Sequence, residues 1–305
     1  MKINGWLFVD KPEGMSSRKV VDLISNSLSI KKVGHAGTLD PLASGLLPIA
    51  IGEATKTIGV IQQFKKCYKF VIKWGEKTST DDKIGTTISS TNVRPSLQDI
   101  EKNLKKFVGK IEQIPPKFSA IKVNGKRAYR LARKKTNFSL NSRTVFIETL
   151  KIKKQIDNDH CSFECICSKG TYIRALARDL GEAMNCFGHI YELRRTHVGK
   201  FSHKCSILLD LSKKLIHSSE ILKNILPIEI VLKSLPFINL TKKQEFAIKN
   251  GQNICLDELN IDEQKKNYFL SKSIDDYMIC KNENRVICFF KIENNSIKPT
   301  RVFNL

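Results

Sequence analysis

Alternating apolar and polar residues predict several strands in the first two thirds of the chain. Residues 5–9 form a short apolar run, and residues 67–74 alternate so that one face of a strand is apolar while the other carries lysines. Runs at 145–152 and 161–167 also favour strands. The pattern at 67–74 is typical of a strand that is buried on one side only.

Apolar residues at intervals of three and four predict helices between these strands. Ser16 or Ser17 can cap a first helix, in which Val20, Ile24 and Leu28 recur. A second helix is predicted to open with a capping motif and to end near a glycine, the residues being Ser96, Asp99 and Gly109.

Thr171 can cap a third predicted helix, after the sequence SKG at 168–170 ends the preceding strand. Its inward positions are Ile173, Leu176, Leu180 and Met184. Arg174 and Arg178 share another face. On this pattern alone Arg174 would be a solvated arginine in a first turn, where the helix dipole does not favour a cation.

The last third of the chain has a different character. Residues 203–235 look helical and linker-like and end near a Leu-Pro pair. Beyond them, short alternating runs separated by polar turns predict a small β-rich module, with strands at 267–272, 277–281 and 285–291. We therefore predict a large domain over 1–235, including a helical linker at about 203–235, and a small one over 236–305.

The charge of the chain indicates a polyanionic partner. It has 305 residues and a formal charge of +22, which is more than solubility requires. A generally basic composition would explain the total equally well, but residues 122–154 hold eleven Lys and Arg against the single acid Glu148. Residues 236–305 have 11 basic and 9 acidic residues, so +20 falls on residues 1–235. The binding surface is therefore expected in the first 235 residues.

Nine scattered cysteines without a C-x-x-C pair argue against a disulfide framework or a zinc ribbon. Cys161, Cys165 and Cys167 would lie on one face of a strand, where buried packing is a better interpretation than metal ligation. The first residues, MKINGWLFVDKPEG, do not form a signal sequence, and no run is long enough to span a membrane. We expect a cytoplasmic protein with reduced thiols and no membrane partner.

One segment stands out as a candidate for chemistry. The chain lacks the phosphate-binding, dinucleotide, zinc-protease and esterase signatures. In GHAGTLDPLASGLLP at 34–48, however, three glycines and two prolines fix the backbone around one acid. Asp40 precedes Pro41, which favours an extended backbone, and its neighbours are apolar. Such a carboxylate could act as a nucleophile or a base, although an aspartate that only organises a turn is the more common case.

Several further motifs occur in a fixed order along the chain. They are LFVDKPEGMSS at 7–17, GEATK at 52–56, KCY at 66–68, TSTDD at 78–82, IPPKFSAIKVNG at 114–125, SKGTYIR at 168–174 and LRR at 193–195. Together with the segment at 34–48 they resemble the TruB family, the tRNA pseudouridine-55 synthases. The resemblance is strong to about residue 200. Beyond it, only the length and residues 235–252 are similar to the family's PUA-like module.

The resemblance implies a role for individual residues. Asp40 matches the catalytic aspartate, which in this family is required to cleave and re-form the glycosidic bond. Arg174 matches its arginine partner, and a guanidinium can hold a carboxylate through two hydrogen bonds. Four further residues match substrate-binding positions of the family. Tyr68 would stack on the flipped uracil, and His35 would fill the space that the base leaves. Leu193 would line the pocket, and Lys11 matches a lysine near the active site.

Some of these matches have alternatives. Core packing would explain Tyr68 equally well, and Lys11 could be a surface phosphate contact instead of an active-site residue. Phe118 departs from the family pattern, which has a tyrosine there, so any role of a hydroxyl at this position is in doubt.

The resemblance also implies a fold and partners. It predicts an α+β catalytic domain with a mixed, mostly antiparallel sheet and a small C-terminal PUA-like β module. The substrate would be the T arm of tRNA, without an obligatory protein partner. No cofactor or metal is needed, because the isomerisation is redox-neutral. Two rivals remain: a guide-RNA-dependent pseudouridine synthase, and an RNA-binding or tRNA-folding protein with a vestigial site.

Overall fold

A large, mostly antiparallel sheet forms the centre of the molecule, and helices pack against one of its faces. The computed structural model describes residues 3–209, 218–273 and 276–305. Within these ranges the sheet has ten strands, and a second sheet of five strands lies near the C-terminus. The predicted α+β class with a mixed sheet and a C-terminal β module is confirmed.

The bounds of the elements are as follows. The helices are α1 Ser17–Leu28, α2 Ile58–Gln63, α3 Leu97–Leu104, α4 Ala128–Arg133, α5 Ile173–Ala183, α6 Ser218–Lys223, α7 Lys242–Lys249 and α8 Glu263–Leu270. The first strands are β1 Gly5–Lys11, β2 Val33–His35, β3 Ser44–Ile51, β4 Lys66–Trp74, β5 Glu76–Thr78, β6 Thr87–Ser90 and β7 Gly109–Gln113. The others are β8 Lys122–Val123, β9 Lys126–Arg127, β10 Arg143–Gln155, β11 His160–Cys167, β12 Gly188–Val198, β13 Phe201–Ser202, β14 Ile207–Leu208, β15 Phe237–Asn239, β16 Ile254–Cys255, β17 Met278–Asn282, β18 Arg285–Glu293 and β19 Ser296–Val302.

The strand order of the large sheet brings distant parts of the sequence together. It runs β14-β1-β3-β12-β4-β11-β10-β7, and the pairs β1 with β14 and β12 with β3 are parallel. The inner face of β4 buries Phe70 and Trp74 against Phe163 of β11, with ring centroids 5.4 and 6.2 Å apart. Helices α1, α3 and α5 cover this face and share its hydrophobic core. The strands predicted at 5–9, 67–74, 145–152 and 161–167 are confirmed, and the three cysteines of β11 are buried as predicted.

The predicted caps hold for two helices and fail for the third. Ser16 caps α1, and Ser96 with Asp99 forms the capping box of α3. Thr171 does not cap α5, because its hydroxyl donates to the carbonyl of Ser168. The N-cap position of α5 is occupied by Tyr172, whose side chain makes no capping hydrogen bond.

Two predictions for the C-terminal third need correction. Residues 267–272 fall mainly in α8 and do not form the predicted strand. The side chain of Asp262 caps this helix, and Phe269 is its one buried residue, so the alternation of apolar residues does not correspond to a buried strand face. Residues 203–235 are helical only in part where the structure describes them, with α6 at Ser218–Lys223 and single turns of helix at His203–Cys205 and Ile228–Val231. They contain the strand β14, and Leu226 exchanges two 2.8 Å backbone hydrogen bonds with Trp6. Residues 210–217 lie outside the described residues.

The C-terminal β module shares a hydrophobic core with the rest of the molecule. Trp6, Phe8 and Val198 from the large sheet pack in one cluster with Phe289 and Phe303 of the module. A truncation at residue 235 would expose this surface to water. The domain boundary itself therefore stays a prediction.

A buried carboxylate reinforces this contact. Glu53 accepts hydrogen bonds from Lys32, Lys56 and the backbone N–H of Asn304. Burial alone would raise the pKa of Glu53, but these three donors outweigh it and lower the pKa to about 2. Glu53 is thus ionised and joins the short 3-10 helix Gly52–Thr57, which precedes α2, to Asn304.

We expect Phe303→Ala to lower the free energy of unfolding by about 3 kcal/mol, because it opens a cavity in the shared core. Phe246→Ala is the matched control, since that ring is 72% exposed, and it should change stability by less than about 0.5 kcal/mol. Urea denaturation of both variants tests this. Equal stability of the two variants would show that the module is not held by the shared core.

Candidate active site

Asp40 lies on a loop between β2 and β3 that two other segments hold in place. The Ser17 hydroxyl donates to the carbonyl of Leu39 and accepts from its backbone N–H, both at 2.8 Å. The N–H of Gly14 donates to the carbonyl of Pro41, also at 2.8 Å. The opening motif at 7–17 thus fixes the backbone on both sides of Asp40, whose side chain is about a third exposed.

Lys11 lies directly beneath this loop and is fully buried. Its ammonium donates to the carbonyls of Pro12, Met15 and Pro41, at 2.8, 2.7 and 3.4 Å. Burial lowers the pKa of Lys11 to about 8, and the nearby Asp40 acts in the opposite direction. The alternative of a surface phosphate contact is therefore wrong, because Lys11 is buried and its ammonium donates to carbonyls of the Asp40 loop and the preceding motif.

Arg174 brings the site together from the first turn of α5. Its Nε lies 2.8 Å from Oδ2 of Asp40, although the N–H is not directed at that oxygen well enough for a hydrogen bond, so the contact is an ion pair. One Nη donates to the carbonyl of Thr80 at 2.7 Å and the other to that of Phe118 at 2.9 Å. The side chain is only 4% exposed, so Arg174 is not a solvated surface arginine.

A second carboxylate completes this ion pair. Oδ2 of Asp82 lies 3.6 Å from Nη1 of Arg174, and its Oδ1 accepts from the backbone N–H of Ile84. The motif at 78–82 thus places a buried acid on the far side of the guanidinium. Two acids around one cation offset the unfavourable position of an arginine at a helix N-terminus.

Asp40 and Arg174 border a cavity of about 1270 Å³. Tyr68 lines it from β4, and Arg195 lies beside it on β12, where the backbone pairs the two residues. Burial raises the pKa of Tyr68 to about 12, although Arg195 opposes the shift. Tyr68 is therefore a neutral phenol at physiological pH; it lines the cavity and also packs against the hydrophobic core beneath it.

His35 and Leu193 do not line this cavity. His35 ends β2, and its Nδ1 is buried without a partner among the described residues. Burial lowers the pKa of His35, which favours a neutral ring. Leu193 is buried in the core, where β12 pairs it with Phe70. The roles assigned to these two residues stay predictions.

Residues that the sequence reasoning did not select also reach the cavity, chiefly Tyr172 and Arg195. Burial raises the pKa of Tyr172, and the charge of Asp40 adds to that effect. Its position two residues before Arg174 was a usable signal. The guanidinium of Arg195 donates to the carbonyls of Leu46 and Gly37 and so supports the Asp40 loop from below; no spacing rule would have found this contact.

Phe118 contributes its backbone to the site. The contact with Arg174 is made by the Phe118 carbonyl, which is present whether the side chain is phenylalanine or tyrosine. The substitution therefore leaves this part of the geometry unchanged.

The basic cluster predicted at 122–154 borders the same cavity. Its hairpin β8–β9 and helix α4 expose most of their cations, and Lys122 and Arg133 line the cavity directly. Among the described residues, no group of three His, Cys, Asp or Glu side chains is placed to hold a metal ion. No described helix is long and apolar enough to cross a membrane.

We expect Arg174→Met to lower the free energy of unfolding by about 3 kcal/mol, because it leaves the buried Asp82 without its cation. Asp82→Asn should then cost less in this background than in the wild type. A double-mutant cycle in urea measures the coupling. Additive effects would show that the two side chains do not interact in solution.

Comparison with known proteins matches this geometry to one family. Residues 25–173 match the model of the TruB family pseudouridylate synthase N-terminal domain, and residues 174–233 that of the tRNA pseudouridylate synthase B C-terminal domain. The tRNA pseudouridine synthase B of Ehrlichia ruminantium is 43% identical over 99% of both chains. That of Caulobacter vibrioides is 39% identical over 99% of this chain and 97% of its own.

Solved structures share the fold. In a Cbf5-Nop10-Gar1 complex, one chain superposes with a TM-score of 0.70 at 23% identity, covering 98% of this chain and 84% of that chain. A chain of the archaeal box H/ACA sRNP Nop10-Cbf5 complex gives a TM-score of 0.69 at 22% identity, covering 98% and 85%. At this identity the likeness concerns the fold alone. The full-length relatives and the family models decide the assignment, and the chain belongs to the TruB family of pseudouridylate synthases.

Proposed function

We propose that this chain converts a uridine in the T loop of tRNA, at position 55 by family resemblance, to pseudouridine. The observation that carries the proposal is the carboxylate of Asp40, held by Arg174 at 2.8 Å at the edge of a cavity that Tyr68 and Tyr172 also line. The relatives described above are named tRNA pseudouridine synthase B. Asp40 is the catalytic group in this proposal.

The chemistry balances without a cofactor. The bond between C1′ and N1 of uridine breaks, the uracil turns, and a bond forms between C1′ and C5. C5 then loses its proton and N1 carries one, so the product is an isomer of the substrate. In this scheme Asp40 acts as the nucleophile or the base, each role requires an ionised carboxylate, and Arg174 pairs with it at 2.8 Å.

The remaining residues of the site have supporting roles. The target base must leave the stack to reach Asp40, and the ring of Tyr68 provides a face on which uracil can stack. The cavity of about 1270 Å³ exceeds the space that one nucleotide needs, so neighbouring nucleotides also fit. Lys11 and Arg195 hold the loop and do not need to contact RNA themselves.

The charge distribution supports tRNA as the partner. Among the exposed cations of the hairpin β8–β9 and helix α4, Lys122 and Arg133 line the cavity, and the group can contact phosphates on both sides of the flipped nucleotide. The T arm is already contorted, which lowers the cost of extruding a base. We also propose residues 1–235 as the catalytic domain, residues 236–305 as a PUA-like RNA-binding module, and the cytoplasm as the location.

One experiment separates this function from its rivals. The purified chain alone, with an unmodified tRNA transcript, should form pseudouridine at a single position of the T loop, mapped by chemical modification and primer extension. Dependence on a guide RNA or an added protein would favour the guide-dependent class. Tight binding without any pseudouridine would favour an RNA-folding protein.

We expect Asp40→Asn to abolish turnover while tRNA affinity changes less than about threefold, because the amide keeps the size of the side chain but is neither a nucleophile nor a base. Tritium release from C5-labelled uridine and filter binding measure the two effects. Asp22→Asn, on the exposed face of α1, is the control. Turnover within tenfold of the wild type would remove Asp40 from the chemistry, and a parallel loss of binding would indicate a structural turn.

We expect Tyr68→Leu to reduce turnover by at least about a hundredfold, because stacking of the uracil needs the aromatic ring. Tyr68→Phe should keep its affinity for tRNA, because affinity depends on many phosphate contacts. Single-turnover rates and binding curves on one transcript test both variants. A fully active Leu variant would place Tyr68 in core packing only. A Phe variant as inactive as Leu would show that the hydroxyl takes part.

A further inference from the structure

Arg143 is a cavity-lining arginine that donates no hydrogen bond to any residue the structure describes. It begins β10, and its Nε is buried without a hydrogen-bond partner among those residues. No carboxylate lies within 4.0 Å of it in the described parts of the chain. By contrast, both Nη groups of Arg174, and the Nε and one Nη of Arg195, donate to backbone carbonyls in the same cavity, and the Nε of Arg174 faces the Asp40 carboxylate at 2.8 Å. A buried guanidinium N–H without an acceptor costs free energy, so this arginine is suited to an acceptor from outside the chain.

The position of Arg143 is fixed by the sheet. Its backbone pairs with Gln113 of β7. The side chain of Gln113 accepts the N–H of Tyr172 at 2.8 Å and donates to its carbonyl at 3.1 Å. Arg143 is thereby tied to the residue that precedes α5, two positions before Arg174. The backbone that carries Arg143 is therefore already ordered before a ligand binds.

The charge of Arg143 acts close to Asp40. The pKa of Tyr172 is raised mainly by burial, and the two nearby charges have opposite effects: Arg143 lowers it and Asp40 raises it. Arg143, Tyr172 and Asp40 all line the same cavity. A nucleotide bound there therefore has both Asp40 and Arg143 among its surroundings.

We propose that Arg143 binds a backbone phosphate next to the target uridine and so holds the flipped nucleotide over Asp40. A guanidinium presents its donors as a planar fork that matches two phosphate oxygens. The nearby carboxylates of Asp40 and Asp82 are already paired with Arg174, so the anion must come from the RNA. The inference rests on the proposed function, since it assigns a role within that reaction.

The test combines Arg143→Gln with a T-arm RNA that carries one neutral methylphosphonate, placed in turn at each phosphate flanking the target. Arg143→Gln should raise KM about ten- to hundredfold and change kcat less than about threefold. One methylphosphonate should weaken wild-type binding by at least about tenfold and that of Arg143→Gln by less than about twofold. Arg143→Lys should recover part of the loss, because it keeps the charge without the fork.

Arg130→Gln is the matched control, because Arg130 is exposed on α4 in the same basic cluster and does not line the cavity. It should weaken binding in a salt-dependent way and keep the full methylphosphonate effect. Melting curves show that each variant folds. If every methylphosphonate weakens Arg143→Gln as much as the wild type, or if kcat falls at unchanged KM, Arg143 does not bind a flanking phosphate. A wild-type chain that binds the RNA but forms no pseudouridine would instead overturn the proposed function.

Discussion

The buried ion pair between Arg174 and its two carboxylates is the interaction on which the site depends. It joins three separate parts of the chain: the loop with Asp40, the turn with Asp82 and the start of α5. A guanidinium that is 4% exposed carries a large desolvation cost, which only good partners offset. The two Nη groups of Arg174 also donate to the carbonyls of Thr80 and Phe118, which fixes the orientation of its guanidinium. The position of the Asp40 carboxylate is thus set by groups that lie far from it in sequence.

The sheet makes this arrangement possible. Strands β3 and β12 are parallel neighbours, and the side chain of Arg195 on β12 reaches back to the carbonyl of Gly37. Gly45, opposite Arg195, has no room for a Cβ because the Arg195 carbonyl would lie 2.2 Å from it. A glycine is required there by close backbone approach as well as by its φ of +101°. The strand junction that supports the Asp40 loop therefore requires glycine at position 45, because any side chain there would collide with the backbone of Arg195.

Much of this could be predicted from the sequence because the relevant signals are local. The alternation in β4 and the capping box of α3 each depend on a few consecutive residues. The failures are of another kind. Residues 267–272 form part of α8 because the Asp262 cap and the burial of Phe269 outweigh a weak alternation. The role of Lys11 was open because three carbonyls, one of them thirty residues away, decide whether this lysine is buried or exposed.

The mixture of charges around the cavity follows from the chemistry proposed for it. A catalytic carboxylate must stay ionised while a polyanion approaches, although like charges repel strongly where water is scarce. Arg174 neutralises Asp40 from beneath, and Lys11 and Arg195 place further positive charge behind the loop. Lys11, Arg195 and the two Nη groups of Arg174 donate to backbone carbonyls, so these donors are not available to phosphates. In the proposed function, the exposed cations of α4 and the hairpin β8–β9 are the ones that can contact phosphates. In the proposed function, the cations that hold the Asp40 loop through backbone carbonyls are thus separate from the cations that contact RNA, and one basic protein can serve both needs.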